Sequence, residues 1–555
     1  MNIQNFHFKI AILIRGRRLD EKVVDLVNQL DSAGINNILF LELRDAVTLS
    51  FRGKGWSGCL QSFLRLTNDV MTDGIVKAEL FLLNCKLKPK SMIAGNAIIS
   101  SHQSRKIIPV YRKISGGEEY IKTSDLAEIT QLGVDILVQI DSPKPLPGIS
   151  AAGKSGLLEL SYGSNTQKAA PRPGFWTSYY RKNKTEFQIR HYQPGVDSGR
   201  LLLHGAFSTK HLFSENYQNL IRQGNAQLTS IIMRLVHDAA VLPIRKEQGF
   251  DFSRDSPPGL SALLIYALKS SYRLAHKLSR RALNIRQKWS LSLSIGPWMN
   301  SNDNDVLKIE PPQGKFWADP FLLKEGGQIY CFFEEYDYKK KKGHISVLSI
   351  DGGKIMEIGR CIEQPFHLSF PYLFRYAGHI YMCPEASASN KITIYRSQVF
   401  PLKWVAHSVA MENISAADTM IFEFEGKWWM FTNIDTSGTH NYCSALHIFH
   451  SETPVNGRWT AHAMNPIIVD PRGGRNGGLI MQDGRIFRGA QVQGYAQYGQ
   501  GIIVNEIVLL NEFQYVELER KEFGPCRKSG VVGVHHISST GDMTIIDQLT
   551  NRFRA

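Results

Sequence analysis

Cysteine is scarce in this sequence, and the cysteines that are present are not closely spaced. Only seven of the 555 residues are cysteines, and no two stand at the Cys-x-x-Cys spacing of a zinc site. We therefore predict neither a metal site nor a disulfide framework. Scattered thiols are typical of a reducing compartment, so we expect a cytoplasmic location.

Long apolar runs are missing as well. Nothing approaches 18 consecutive apolar residues, so we predict no membrane-spanning helix. The first apolar run, 10–14, is too short for a signal peptide and leads directly into Arg15, Arg17 and Arg18. The composition, with 43% hydrophobic and 21% charged residues, is that of a folded protein, and the length predicts two or three domains.

Acidic residues are outnumbered: 65 Lys and Arg face 50 Asp and Glu, a net charge of +15. Such a surplus favours an anionic partner, for example a nucleotide, a phosphorylated lipid or an anionic membrane face, although it also serves general solubility. No nucleic-acid-binding motif accompanies the charge, so we expect no nucleic-acid partner.

Residues 1–240 alternate between apolar strand patterns and helical patterns. Apolar runs at 9–14, 37–43 and 133–140 predict buried strands, and 19–33 has helical periodicity. This alternation predicts a doubly wound α/β domain with a parallel sheet. The first strand is not followed by Gly-x-Gly-x-x-Gly, so no dinucleotide site is predicted.

The segments Gly156-Leu-Leu-Glu-Leu-Ser-Tyr-Gly163, Pro173-Gly-Phe-Trp176 and Phe187 to Leu202 resemble the folate-dependent formyltransferase family. The resemblance implies substrate contacts at Glu159, Tyr162 and Asp197. However, Glu159 and Ser161 stand where the family has its catalytic Asn and His, and serine cannot shuttle protons as histidine does. Only Asp197 matches, and Asp197-Ser-Gly199 is also a common turn sequence. Folate is therefore disfavoured as a cofactor.

Residues 241–300 predict a basic helical linker. Apolar residues recur at steps of three and four from Leu264 to Ile285, and seven basic residues decorate 269–288. Two interpretations remain open: an amphipathic helix over 264–288 that lies on an anionic membrane, or an interdomain helix with a solvated basic face.

Residues 301–555 contain a repeated pattern of an apolar strand, a turn with glycine and an aromatic-rich strand. The turn glycines stand at intervals of about fifty residues, which predicts a β-propeller of five blades whose first blade is completed by a strand from the other end of the domain. The five aligned glycines are Gly327, Gly378, Gly426, Gly484 and Gly541.

This register places carboxylates at equivalent points of successive blades. Asp319 and Asp418 stand eight residues before their glycines, and Glu334 and Glu385 stand seven residues after theirs. Equivalent points of a propeller converge on the central funnel, so we predict that these four residues form a catalytic group. Glycosyl chemistry needs paired carboxylates of unequal pKa. We also expect substrate contacts from Trp317, Arg475, His440 and Gln491. Ordinary strand capping by aspartate before proline is the alternative explanation.

The propeller segments Phe316-Trp-Ala-Asp-Pro-Phe321, Phe370-Pro-Tyr-Leu-Phe374, Cys383-Pro-Glu-Ala-Ser387, Arg488-Gly-Ala-Gln491 and Tyr498-Gly499 carry a second resemblance. They resemble five-bladed furanoside hydrolases and, more specifically, the propeller domain of plant glucosamine inositolphosphorylceramide transferases. By analogy with the hydrolases, Asp319 is expected to be the base or nucleophile, Asp418 to tune a pKa or orient the sugar, and Glu385 to be the acid.

We predict a cytoplasmic, glycosyltransferase-like enzyme of cell-envelope polysaccharide or glycolipid synthesis. It would use a sugar nucleotide as donor and a carbohydrate or glycolipid as acceptor. The alternatives are folate-dependent N-formylation of an amino-sugar nucleotide, a glycan-binding protein without catalysis, and a furanoside-type glycoside hydrolase.

Overall fold

The structure, a computed structural model, describes residues 8–15, 19–45, 67, 70–79, 104–112, 119–141, 145–162, 173–237, 258–282, 285–301, 306–351, 354–495, 497–526 and 529–553. The chain forms two compact units. The first unit holds 1–205, 209–272 and 436–439, and the second holds 206–208, 273–435 and 440–555. None of the described helices is long and apolar enough to cross a membrane.

The first unit is built on an eight-stranded mixed sheet, in the order β4-β3-β2-β1-β5-β6-β7-β8. Strands β3, β2, β1, β5 and β6 run parallel, whereas β4 and β7 are antiparallel to their neighbours. The order runs outward from β1 in both directions, but the sheet is mixed, whereas the sequence pattern predicted a parallel one. The strands are β1 Ile10–Arg15, β2 Ile38–Asp45, β3 Ser104–Arg112, β4 Glu119–Tyr120, β5 Ile136–Ile140, β6 Leu157–Ser161, β7 Lys184–Tyr192 and β8 Arg200–Ser208.

Helices follow the sequence pattern closely. Asp20 caps the first helix, because its carboxylate accepts a 3.0 Å hydrogen bond from the backbone N of Lys22, and Leu26 and Leu30 are fully buried. A further helical stretch covers 70–79. The labelled helices are α1 Glu21–Ser32, α2 Thr123–Gln131, α3 Phe175–Tyr180, α4 Phe213–His237 and α5 Leu260–Ala282.

The second unit is an all-β propeller with five sheets, and this confirms the predicted number of blades. Strands β11, β15, β19, β24 and β29 each contact the next one, and β29 contacts β11, so they form the inner ring. The first two blades are β11 Lys315–Glu325, β12 Gln328–Asp337, β13 Lys342–Asp351, β14 Lys354–Ile362, and β15 Ser369–Tyr376, β16 His379–Glu385, β17 Lys391–Val399, β18 Lys403–Glu412.

The remaining blades complete the ring. The third and fourth are β19 Ala416–Phe424, β20 Lys427–Ile434, β21 Ala445–Ser451, β22 Thr460–Ala461, β23 Ile468–Val469, and β24 Arg472–Gln482, β25 Arg485–Gly494, β26 Gln497–Leu510, β27 Tyr515–Phe523. The fifth is β9 Ile285–Ile295, β10 Leu307–Ile309, β28 Val531–Gly533, β29 Ile537–Ser539 and β30 Met543–Phe553.

The aligned glycines occupy the hairpin turns of the blades, as the repeat predicts. All five have positive φ, between 71° and 86°. In the first four hairpins the preceding residue also has positive φ, which is the backbone of a two-residue type I′ turn and explains why glycine recurs there.

The ring closes in a different blade from the one predicted. The first blade, β11 to β14, is complete by itself, and the fifth blade joins strands from both ends of the unit. Antiparallel pairing extends from Ile285 opposite Phe553 to Ile295 opposite Met543. Strand β9 therefore belongs to the propeller, although the sequence assigned 241–300 to a linker.

Candidate functional site

A backbone irregularity recurs in the inner strands of the first three blades. Asp319, Phe370 and Asp418 have φ values of 50°, 46° and 47°, and strand pairing is interrupted at each of them. A non-glycine residue in this region costs about 1–3 kcal/mol, and such bulges commonly lie beside active sites. The bulges redirect side chains at three equivalent points of the ring, and two of these carry the aspartates predicted for the funnel.

Arg475 on β24 joins two of the predicted carboxylates. Its guanidinium contacts both oxygens of Asp418, with Nε 2.5 Å from Oδ2 and Nη2 3.2 Å from Oδ1. Nη2 also lies 3.4 Å from Oε2 of Glu385. The guanidinium stacks 5.2 Å from the ring centroid of Tyr498. A guanidinium presents fixed donors to carboxylates, so Arg475 holds Asp418 and Glu385 in one place.

Asp319 is held by a buried histidine. Its Oδ1 lies 3.1 Å from Nε2 of His535, and Nδ1 of the same ring lies 2.9 Å from Oδ2 of Asp547. Asp547 also accepts backbone hydrogen bonds from Asp319, His535 and His536. These three residues form a continuous Asp–His–Asp chain between the first and fifth blades.

The charges of Asp319, His535 and Asp547 follow from their geometry. Burial lowers the pKa of His535, but Asp547 and Asp319 more than offset it and raise the pKa to about 10. Burial raises the pKa of Asp319, but the adjacent His535 cation outweighs it, so the pKa falls below its ordinary value. At neutral pH, therefore, Asp319 is ionised and His535 is protonated.

Glu334 on β12 has the opposite character. The buried Oε1 of Glu334 accepts no hydrogen bond from the described residues. The nearby Nε2 of His367 is 3.5 Å from it. Burial raises its pKa well above the ordinary value, and Asp319 and Glu385 add to the rise. Burial thus favours the protonated form of Glu334, whereas Asp319 favours the ionised form, and acid-assisted glycosyl chemistry uses two carboxyl groups of such unequal pKa.

Asp418 also resists ionisation. Burial raises its pKa, Arg475 lowers it, and Glu385 and Asp319 raise it further, so that the balance lies well above the ordinary value. Gln491 on β25 donates to Oδ2 of Asp418 at 3.3 Å and to the backbone oxygen of Asn476 at 2.8 Å. Gln491 therefore lies in the funnel and orients a carboxylate.

Two predicted substrate contacts do not lie where the sequence placed them. Trp317 is 4% exposed, its indole N–H donates to Glu335 at 3.0 Å, and its ring packs on Phe333 in the core. Trp317 therefore has no face available for a sugar. The backbone N of His440 donates to Asp435 at 2.6 Å, and the contacts of the described residues do not connect the His440 ring to the carboxylates.

Sequence reasoning missed His535, Asp547, His536 and Tyr498 as members of this site. The sequence did contain a signal for Asp547. In the fifth blade, the position seven residues after the turn glycine is Gln548, which is the neighbour of Asp547. His536 is fully buried against Phe321 and Phe370, and burial, its largest influence, lowers its pKa to about 4. Both of its nitrogens lack hydrogen-bond partners among the described residues.

One group of potential metal ligands occurs among the described residues. Asp319, His535 and Asp547 each offer one ligand atom, all within 4.8 Å of one another. A metal requires neutral imidazole, whereas the pKa of about 10 keeps His535 protonated at neutral pH. Without a metal, the imidazolium supplies the positive charge between the two carboxylates.

Three of the residues predicted to contact substrate belong to the first unit. Glu159 is 1% exposed on β6, and Oε2 accepts a 2.7 Å hydrogen bond from the Tyr192 hydroxyl. Tyr162 is buried and donates to Asn225 at 3.2 Å. Asp197 is exposed and accepts a 2.9 Å hydrogen bond from the backbone N of Gly148, a contact between segments that are 49 residues apart in the sequence. Each of these residues has a structural partner.

Comparison with known proteins bears on the propeller. Residues 281–529 match the family described as "Glucosamine inositolphosphorylceramide transferase 1, N-terminal". The protein of that name from Arabidopsis thaliana is 36% identical over 209 residues, 37% of this chain and 27% of the relative. The one from Oryza sativa subsp. japonica is 32% identical over 225 residues, 39% of this chain and 30% of the relative. The matched segment thus spans less than a third of these relatives.

Solved structures are similar at lower identity. A putative glycoside hydrolase from Bacteroides ovatus is 12% identical, with a TM-score of 0.33 and coverage of 47% of this chain and 98% of that one. Zg3597, a family 117 glycoside hydrolase of Zobellia galactanivorans, is 11% identical, with a TM-score of 0.32 and coverage of 47% and 90%. The five-bladed fold rests on the sheet topology, and the predicted resemblance of the propeller to glucosamine inositolphosphorylceramide transferases is confirmed by the sequence matches.

Proposed function

We propose that this chain is a sugar transferase whose propeller funnel carries the reaction. The observation behind the proposal is the pairing of Asp319, whose pKa is lowered, with the buried Glu334, whose pKa is raised, in a segment similar to the plant transferases. The donor would be a sugar nucleotide, a hexosamine derivative by analogy with the names of the relatives. The acceptor would be a carbohydrate or a glycolipid with an inositol phosphate head group.

The opposite pKa shifts of Asp319 and Glu334 give these two residues different roles in the proposed reaction. Asp319 has a lowered pKa, which makes it a weak base but a stable anion, so it stabilises the positive charge that develops on the anomeric carbon. As the bond from that carbon to the leaving oxygen breaks, Glu334 gives its proton to the leaving group. The acceptor oxygen then bonds to the carbon, and its proton passes to the ionised Glu334. Glu334 is therefore favoured as the acid over Glu385, which the analogy with the hydrolases had suggested.

Arg475 and Gln491 position the carboxylates of the funnel. Arg475 is largely buried and fixes Asp418 and Glu385, while its stack on Tyr498 leaves an aromatic ring that is 42% exposed for a sugar face. A cytoplasmic location and a role in envelope synthesis remain part of the proposal. Formyl transfer is less favoured, because Glu159 is enclosed in the sheet and bonded to Tyr192.

The test is transfer from radiolabelled UDP-hexosamines to detergent-dispersed inositol-phosphate lipids by the full chain. Label in the organic phase, lost in Asp319→Asn and retained in Asp351→Asn, is expected. Asp351 ends β13 of the same blade and is exposed, so it matches the substitution without touching the funnel. Free labelled sugar without labelled lipid would indicate a hydrolase instead. Binding of the UDP-hexosamine without turnover would indicate a glycan-binding protein.

A further inference from the structure

The segment between β14 and β15 places a histidine beside the proposed acid. The side chain of His367 is 40% exposed, whereas that of Glu334 is 7% exposed. Nε2 of His367 lies 3.5 Å from Oε1 of Glu334, the buried oxygen that accepts no hydrogen bond from the described residues. The histidine therefore stands next to the one oxygen of the acid that needs a donor.

Backbone contacts fix the orientation of the His367 ring. The backbone N–H of Gly343 donates to Nδ1 at 2.9 Å, and the backbone N–H of Leu368 donates to the carbonyl oxygen of Gly343 at 3.1 Å. Because Nδ1 accepts a hydrogen bond, the hydrogen of the neutral ring is on Nε2. Burial lowers the pKa of His367, although Asp319 opposes the shift, so the ring is neutral at pH 7. The nitrogen that faces Glu334 is thus the one that carries the hydrogen.

Gly343 provides the space for this arrangement. A Cβ at this position would lie 2.7 Å from Oε1 of Glu334, 2.7 Å from Cε1 of His367 and 2.6 Å from the carbonyl oxygen of Leu368. Gly343 is not among the glycines with positive φ, so its backbone conformation does not itself require glycine. The absence of a side chain here allows the histidine and the acid to approach each other.

We propose that His367 is a positioning residue, whose Nε2–H group holds Oε1 of Glu334 and leaves Oε2 to carry the transferred proton. The 3.5 Å separation is longer than a hydrogen bond, and contacts between catalytic groups commonly shorten when the substrate binds. A neutral donor suits an acid, because a cation at this place would favour the ionised carboxylate more strongly. The proposal rests on the proposed function for the role of Glu334, but the contact itself is present in the substrate-free chain.

Two substitutions separate the contact with Glu334 from the contact with Gly343. In His367→Asn the side-chain oxygen can accept from Gly343 as Nδ1 does, but the amide is too short to reach Oε1. In His367→Gln the longer amide places an N–H group near the position of Nε2. Other charged groups that act on Glu334 are left unchanged by both substitutions, and they are Asp319, Glu385, His535 and Asp547.

The first measurement is the pH dependence of sugar transfer by the full chain. His367→Asn is expected to lower kcat about tenfold to hundredfold and to leave KM within about twofold, because the acid is no longer oriented. Its alkaline limb is expected to move up by about 0.5–1 pH unit, because a donor to Oε1 favours the ionised form of Glu334. His367→Gln should restore both values. The matched control is His379→Asn, which changes an exposed histidine of the second blade and should behave like the wild type.

Infrared titration tests the contact without catalysis. The carbonyl band of protonated Glu334 is the band that Glu334→Gln lacks, and it is expected to persist to higher pH in His367→Asn than in the wild type or in His367→Gln. The same titration in all three proteins would overturn the proposal. So would equal kinetic losses in both variants with an unmoved alkaline limb, since a histidine that only supports the loop would behave in this way. If the wild type transferred no sugar, the proposed function would be wrong, whereas the infrared titration would still decide whether His367 acts on Glu334. Circular dichroism verifies that the variants fold.

Discussion

His535 should make the stability of the propeller fall with alkaline pH. The ordinary pKa of histidine is 6.5, and in the folded chain Asp547 and Asp319 hold it near 10. Folding therefore retains a proton that the unfolded chain loses between these values. The contribution is fully present below pH 6.5 and disappears as the pH approaches 10. At about 1.4 kcal/mol per pH unit over about 3.5 units, it amounts to about 5 kcal/mol.

The assay is urea unfolding followed by tryptophan fluorescence at pH 6.5 and pH 9.5. Seven of the nine tryptophans lie at or after residue 289, and Trp289 packs on the His535 ring at 4.1 Å, so the signal reports the propeller. Other groups titrate in the same range, and the comparison with His535→Gln isolates this one. That variant is expected to lose about 3–5 kcal/mol at pH 6.5, because two buried carboxylates lose their cation, and to show a much smaller further loss at pH 9.5.

The matched control is His379→Gln, since His379 is exposed on the second blade. Its unfolding should follow the wild type at both pH values. If His535→Gln retained the full alkaline loss of the wild type, the charge assignment of the Asp319–His535–Asp547 chain would be wrong. The same result would remove the argument that Asp319 is a stable anion.

Three further predictions concern the funnel. Gly343→Ala would place a Cβ 2.7 Å from Oε1 of Glu334 and 2.6 Å from a backbone oxygen, so we expect about 1–3 kcal/mol of destabilisation in urea unfolding, whereas Gly524→Ala, in open space, should change little. Arg475→Lys removes bidentate contact with Asp418 and should lower kcat/KM for sugar transfer about tenfold to hundredfold; unchanged kinetics would contradict its role. Because Glu334 must be protonated to act as the acid, transfer should decline as pH rises through its raised pKa, and Glu334→Gln should abolish that alkaline limb of the pH–rate profile.

Much of the propeller could be predicted because its information is local. Each type I′ hairpin requires positive φ at its glycine, so the glycines recur in the sequence and set the register of the strands around them. That register places Asp319, Asp418, Glu334 and Glu385 at equivalent points. Alternation along one strand and the turn chemistry at its end were sufficient for this inference.

The failures have physical causes that sequence periodicity does not contain. Trp317 and Asp319 would share a face of a regular strand, but the interruption after Ala318 breaks the alternation, so Trp317 points into the core. Asp547 lies on β30, which pairs with β9 from the other end of the propeller sequence, and His535 lies between β28 and β29, which both pair with β30. Helical periodicity over 241–300 predicted α5 but gave no sign that 285–295 would leave it to become a blade strand.

The closure of the fifth blade also has a consequence for biosynthesis. During translation β9 emerges early and waits, with its partner edge unpaired, until β30 has been synthesised. Domains generally fold as units from the N-terminus during synthesis, whereas this ring becomes complete only with its last strand. Asp547 lies on that strand and accepts the backbone hydrogen bond of Asp319, so the funnel acquires its charge pattern only after β30 has been synthesised. A ribosome-stalled chain ending before residue 543 would therefore hold four complete blades, and Asp319 would lack its contacts with the fifth.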